Sequence, residues 1–125
     1  MLQLKYLPLL ACLCSMGSTA QTVNRFDIVM DELMADPSPA IGLPNSEFIE
    51  LKNNAAFPVA LKNWKISDGA STATISQDLV LQPDSFVIVC PNAAVAEFSR
   101  WGNTIGVSNF PSLNNDGDLL VLYSA

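Results

Sequence analysis

The sequence predicts an all-β sandwich carrying one short helix. Three observations predict it. Short apolar stretches recur at roughly 8–12-residue spacing between turn residues. Several of them alternate apolar and polar side chains, the period of a half-buried strand. A single stretch, after Asn92, gathers strong helix formers.

The first twenty residues stand outside this pattern. "MLQLKYLPLLACLCSMGSTA" has one early cation, Lys5, an apolar run from Tyr6 to about Met16, and the small-residue sequence Ser18-Thr19-Ala20. That is the layout of a secretory signal peptide cleaved after Ala20. The run is too short to span a bilayer, which takes roughly 20 residues, so a transmembrane chain is not expected. A buried first helix is the bland alternative. A lipoprotein signal cleaved before Cys12 ranks second to the secretory one, because it leaves too short an apolar core ahead of the cysteine.

The elements then follow in order. "RFDIVMDELMA" (25–35) is a strand that stops at the turn-forming pair Asp36-Pro37. "EFIELKN" (47–53) puts Ile49 and Leu51 on one face and Glu50 and Lys52 on the other, a half-buried strand. Residues 59–61 and 64–67 form two short strands ended by Asp68-Gly69. Residues 73–75 and 79–81 give two more, and Gln82-Pro83-Asp84 turns the chain into "FVIVC". Both faces of that strand are apolar, so it lies centrally. Asn92 is an N-cap for a helix over "AAVAEFSRW", ended by Gly102. Val95, Phe98 and Trp101 fall three apart, so they share one face, and Phe98 and Trp101 are expected to pack on the sheet. A polar turn, Asn114 to Gly117, leads to a last strand at 118–123. Only Ser124-Ala125 follow it. An apolar strand placed there invites an unpaired edge, so residues 21–125 are expected to be a C-terminally incomplete domain of a longer protein, with its final strands missing.

Composition removes whole classes of function. Without residues 1–20 the chain holds five cations against twelve carboxylates, a net charge of −7. Such a surface repels phosphate backbones, so general nucleic-acid binding is not expected. There is no histidine, which removes Ser-His and Cys-His catalysis and any histidine-ligated metal. Cys12 and Cys14 leave with the signal. Cys90 stays alone in "FVIVC", a small buried hydrophobe with no disulfide partner.

The stretch "MDELMADPSPAIGLPNSEFIELKN" (30–53) carries five carboxylates, Asp31, Glu32, Asp36, Glu47 and Glu50. Paired carboxylates can hold Mg²⁺ or Ca²⁺ and activate water. That makes a divalent-metal-dependent hydrolase, or an accessory domain of a secreted nuclease or hydrolase, the alternative reading of this region. Strand geometry opposes it. Asp31 and Glu32 are neighbours and point to opposite faces, and Glu47 and Glu50 are an odd number apart, so they too diverge. No nucleophile has a base partner, and no catalytic residue is assigned. "NNDGD" (114–118) looks like half a calcium loop. Asn114, Asp116 and Asp118 are its ligand candidates, but the bidentate Glu expected downstream is missing, and a tight turn accounts for the same residues. Asp36 with Glu47 is a second oxygen-ligand candidate. No other cofactor is implied.

Four ordered blocks resemble the lamin tail domain in its bacterial, Bacteroidetes-type form. "DELMADPSPAIGLPNSEFIELKN" is similar to the family's opening block, with its Asp-Pro loop, Gly-Leu-Pro and Glu-aromatic-Ile-Glu-Leu. "LKNWKISDG" (61–69) is similar to the second, built on Leu, Trp and Ser-Asp. "LQPDSFVIVC" (81–90) resembles the Leu-x-Pro-Gly turn and its strand, with Asp84 where Gly is usual. "FPSLNNDGDLLVL" (110–122) resembles the last block. The family typically continues with a turn, a final strand and a hairpin that this sequence does not show.

The resemblance implies an immunoglobulin-like β-sandwich and a non-catalytic interaction or anchoring module of a secreted or cell-surface protein, with a protein or cell-surface component as partner. It makes Glu32 and Glu50 signature residues, read as structural acceptors of backbone N–H groups from a neighbouring loop. Trp64 is read as a buried sandwich tryptophan, and Asp68 as a turn residue. Within the 36–46 loop, Pro39, Ile41, Leu43 and Pro44 are the candidates for a binding surface. Apolar loop residues either pack back or meet a partner, and packing back is the prior expectation.

Overall fold

The structure, a computed structural model, describes residues 22–125. The expected signal peptide over residues 1–20 lies outside them. Among the described residues nine strands follow one another: β1 (Ile28–Met34), β2 (Phe48–Asn53), β3 (Val59–Ala60), β4 (Lys65–Ser67), β5 (Thr72–Thr74), β6 (Val80–Leu81), β7 (Phe86–Pro91), β8 (Thr104–Val107) and β9 (Val121–Tyr123). A 3₁₀ turn (Asn92–Ala94) running into α1 (Val95–Phe98) lies between β7 and β8.

The strands form a four-stranded sheet in the order β1-β2-β7-β8, a two-stranded ribbon β3-β6, and a three-stranded sheet β5-β4-β9. All pairings are antiparallel except β7–β8. The main core is built from both layers. Ile49 and Leu51 of β2 and Val87 and Val89 of β7 meet Leu61, Trp64, Ile66, Ala73, Ile75 and Leu81. Burial of this apolar area supplies most of the free energy that opposes chain entropy. β7 is central, with β2 on one side and β8 on the other, and Val87 to Cys90 are all buried. Among the described residues β1 and β8 are the edges of the large sheet and β9 is an edge of the smaller one.

Part of the outer face of the large sheet is covered. Phe48, Ile88 and Cys90 point outward and pack beneath Ala94 and Phe98, with Met34, Leu43 and Val95 closing the sides. The rings of Phe48 and Phe98 meet edge to face with centroids 5.2 Å apart. Gly106 of β8 makes this cover possible. A Cβ there would come within 2.5 Å of Asn92 Oδ1 and 2.7 Å of Val95 Cγ2.

The helix is shorter than the sequence suggests. Asn92 makes no N-cap bond. Its Nδ2 donates to Ser108 Oγ at 3.2 Å, tying the 3₁₀ turn to the far end of β8. Because α1 ends at Phe98, the spacing that places Trp101 with Phe98 no longer holds. Phe98 is buried as expected, whereas Trp101 is 53% exposed. The strand Thr104–Val107 has no counterpart in the sequence reading. It supplies the parallel partner of β7, and the 3₁₀ turn and α1 form the crossover that a parallel pair requires.

Candidate functional site

The acidic hairpin departs from simple alternation. Six register pairs join β1 and β2, and the register shifts between Met30 and Glu32. This β-bulge leaves Asp31 without a cross-strand partner and places Glu32 opposite Glu50. A bulge re-aims side chains, and here Asp31, Glu32 and Leu33 are exposed in succession. The simple alternation expected at Asp31 and Glu32 is therefore interrupted by the bulge. Glu50 titrates above its ordinary 4.5, through partial burial and then the charges of Glu32 and Asp31. Its strand neighbour Lys52 does not relieve it. Lys52 Nζ sits 3.3 Å from Asp84 Oδ1 and 5.0 Å from the centre of the Phe86 ring.

Glu32 and Glu50 do not act as acceptors for a loop. Among the described residues neither accepts a backbone N–H. Glu47 takes that role, accepting the amide of Leu113 on Oε1 at 3.2 Å. It ties β2 to the segment before β9. Its carboxyl also titrates above the ordinary value, because burial outweighs this bond.

The remaining oxygen-ligand candidates are occupied locally. Asp36 Oδ1 accepts from the Ser38 amide at 3.4 Å, holding the loop's first turn. Asp118 Oδ2 accepts the Asn114 amide at 2.8 Å, and Asn114 Nδ2 donates to Asp118 Oδ1 and Oδ2 at 3.1 and 2.9 Å. The Gly117 amide donates to the Asn114 carbonyl at 3.1 Å, and Gly117 takes φ +108°. This is a closed turn of the kind that glycine permits. Asp116 is exposed beside it. Among the described residues no group of three or more His, Cys, Asp or Glu side chains is arranged to hold a metal ion.

The 36–46 loop divides by side chain. Leu43 packs against the Phe48–Phe98 cluster. Pro44 is half-buried beside it, and Pro39 is exposed. Ile41 is 84% exposed, and Gly42 after it takes φ +80°. The loop is thus pinned at Leu43 and projects Ile41 outward.

Trp64 is buried in the main core. Asp68 Oδ1 accepts the amides of Ala70 and Ser71 at 2.8 and 2.6 Å, which holds its carboxyl below the usual value. Ser67 Oγ donates to Ser71 O at 2.8 Å and accepts from the Gly69 amide at 3.1 Å, completing the turn. Asn53 escaped sequence reading. It is fully buried, and its side chain makes three bonds: to Phe57 O, to Leu81 O and from the Ala55 amide. The signal was a polar residue at the inward phase of β2, after Ile49 and Leu51.

No curated protein matches the chain. The model of one family, the Lamin Tail Domain, matches residues 21–125, end to end with the sandwich described above. The chain belongs to the lamin tail domain family.

Proposed function

We propose that this chain is a non-catalytic interaction and anchoring module of an exported protein, displayed at the bacterial cell surface or secreted, and that its partner is a protein or other cell-surface component. The family is an immunoglobulin-like one whose members generally serve as non-catalytic interaction modules. The observation that carries the reading is the loop pinned by Leu43 with Ile41 projecting from it. A large aliphatic side chain held in water gains free energy when a partner covers it. The leader-like residues 1–20 support export. Among the described residues no helix is long and apolar enough to cross a membrane.

The test places a photo-crosslinking amino acid at Ile41 in cells and, as a control, at exposed Thr74. The expected result is a discrete adduct from position 41 alone, in the envelope or secreted fraction. Equal labelling from both positions, or a chain confined to the cytoplasm, overturns it. A metal-dependent hydrolase is the alternative, resting on the pair Glu32 and Glu50 that the bulge sets opposite each other. It predicts phosphodiester turnover with Mg²⁺ or Ca²⁺ that is lost in Glu50→Gln.

A further inference from the structure

Three open clefts run from the outer side of the large sheet to β6 and the turn before β7, and neighbours share lining residues. The first, about 210 Å³, lies between Leu43-Pro44 and the residues Glu97, Arg100 and Trp101. The second, about 340 Å³, has Ile88 as its floor and Glu50, Phe86, Trp101 and Asn103 around it. The third, about 460 Å³, runs from Phe86 and Asn103 to Val80, Gln82 and Asp84. Trp101 divides the first cleft from the second, and Phe86 with Asn103 divides the second from the third. The result is a continuous track with an aromatic ring at each division. Trp101 is 53% and Phe86 40% exposed, and Ile88 of the outer apolar cluster lines the cleft they share.

The track's chemistry selects its ligand. Each cleft pairs an apolar wall with side-chain carboxylates, amides or a guanidinium. That arrangement suits a chain of rings with apolar faces and polar edges. An extended peptide is a poorer fit. A peptide that adds as a strand needs free main-chain groups at a sheet edge, whereas the β7 backbone beneath the track is paired on both sides, by β2 and β8. Acidic chains are turned away by Glu50 with Asp31 and Glu32 beside it. Lys52 is already engaged with Asp84, and Arg100 lies in the same cleft as Glu97. We propose that the Leu43–Trp101–Phe86–Val80 track binds a linear, neutral polysaccharide. Its sugar rings stack on Trp101 and Phe86. Their hydroxyl groups donate to Glu50 and accept from Asn103 and Arg100. The proposal rests on the reading of this domain as a non-catalytic interaction module and names the ligand class.

The chain carries its own reporter, because Trp64 is buried at 6% while Trp101 is exposed. Acrylamide quenching therefore reads the track. The probes are the hexasaccharides of β-1,4-linked glucose, N-acetylglucosamine and xylose and of α-1,4-linked glucose, each titrated to millimolar concentration into the whole chain. At least one is expected to shield Trp101 from quenching. Calorimetry with that sugar is expected to show an affinity at least about tenfold lower in Trp101→Ala, the scale of losing an aromatic anchor. Phe86→Leu, which keeps apolar bulk and loses the ring, is expected to weaken binding too, with both variants melting as the parent does. No shielding by any of the four sugars overturns the proposal, as does unchanged affinity in a folded Trp101→Ala. If the sugars fail while the Ile41 adduct still forms, the ligand class falls and the module reading stands. If a sugar binds and is cleaved, the track stands and the non-catalytic reading falls.

Discussion

Asn53 Nδ2 donates to the Leu81 carbonyl at 2.8 Å in a fully buried position, joining the large sheet to the β3-β6 ribbon. The same amide group holds Phe57 O at 2.9 Å, and Asn53 Oδ1 accepts the Ala55 amide at 2.8 Å. The backbone of Asn53 bonds to Ser85 O and the Asp84 amide. Asn53→Ala removes three side-chain bonds, two of them buried. It is expected to cost about 2–4 kcal/mol, read as a lowered denaturant midpoint with unchanged slope. A loss under half of that would show that water re-satisfies the site.

Gly106 lies where the 3₁₀ turn presses on β8. Gly106→Ala puts a methyl group against the Asn92 backbone, whose Cα lies 2.9 Å from the added carbon. Backbone cannot swing aside as a side chain can. We expect a loss of about 1–3 kcal/mol, with thermal melting as the measurement.

Asp84 holds the turn before β7 with φ +55°, the left-handed region that costs a non-glycine residue free energy. This accounts for the glycine usual at this position in similar blocks. Asp84→Gly relieves that strain and gives up only an exposed ion pair with Lys52. The expected outcome is a gain of about 0.5–1 kcal/mol in chemical unfolding.

Glu50 faces Glu32 across the strand pair with a carboxyl that titrates above its ordinary 4.5. The folded state therefore binds this proton more tightly than the unfolded chain. Its contribution favours folding below 4.5 and is lost as pH rises through the folded value. Glu50→Gln is expected to raise stability at neutral pH by about 0.2–1 kcal/mol, the scale of a like-charge cross-strand pair. The gain should vanish in acid, when melting is followed across pH.

Cys90 is fully buried, and burial pushes its thiol up to about 11. Thiol reagents attack the thiolate. Prepared without residues 1–20, so that Cys90 is its single cysteine, the folded chain should stay unlabelled by a disulfide reagent at neutral pH and take up one equivalent on denaturation.

Much of this fold is legible because its strands are short, apolar and separated by Pro, Gly, Asn and Asp. The centrality of β7 follows from two apolar faces, and the burial of Trp64 from its place in the second block. Three features are not legible for physical reasons. β8 contains Gly106, whose missing side chain weakens the strand signal, and its parallel partner lies across a crossover. The placement of Trp101 fails because the three-residue spacing assumes a helix that ends earlier. The placement of Glu32 opposite Glu50 depends on a bulge, and a bulge breaks the period of two on which face assignments rest. In the 36–46 loop the apolar character is written in the sequence, but which residue packs and which projects is decided by the Phe48–Phe98 cluster.

The bulge has one more consequence, for solubility. Among the described residues β1 is an edge strand, and a flat edge is a template on which a second molecule can add its own strand. Here the unpaired extra residue bends the edge, and two successive carboxylates stand on it. A second copy approaching this edge would have to bring its own Asp31 and Glu32 against the same charges. The acidic hairpin thus makes this side of the sheet self-repelling, and the chain is protected from growing into a continuous sheet through β1.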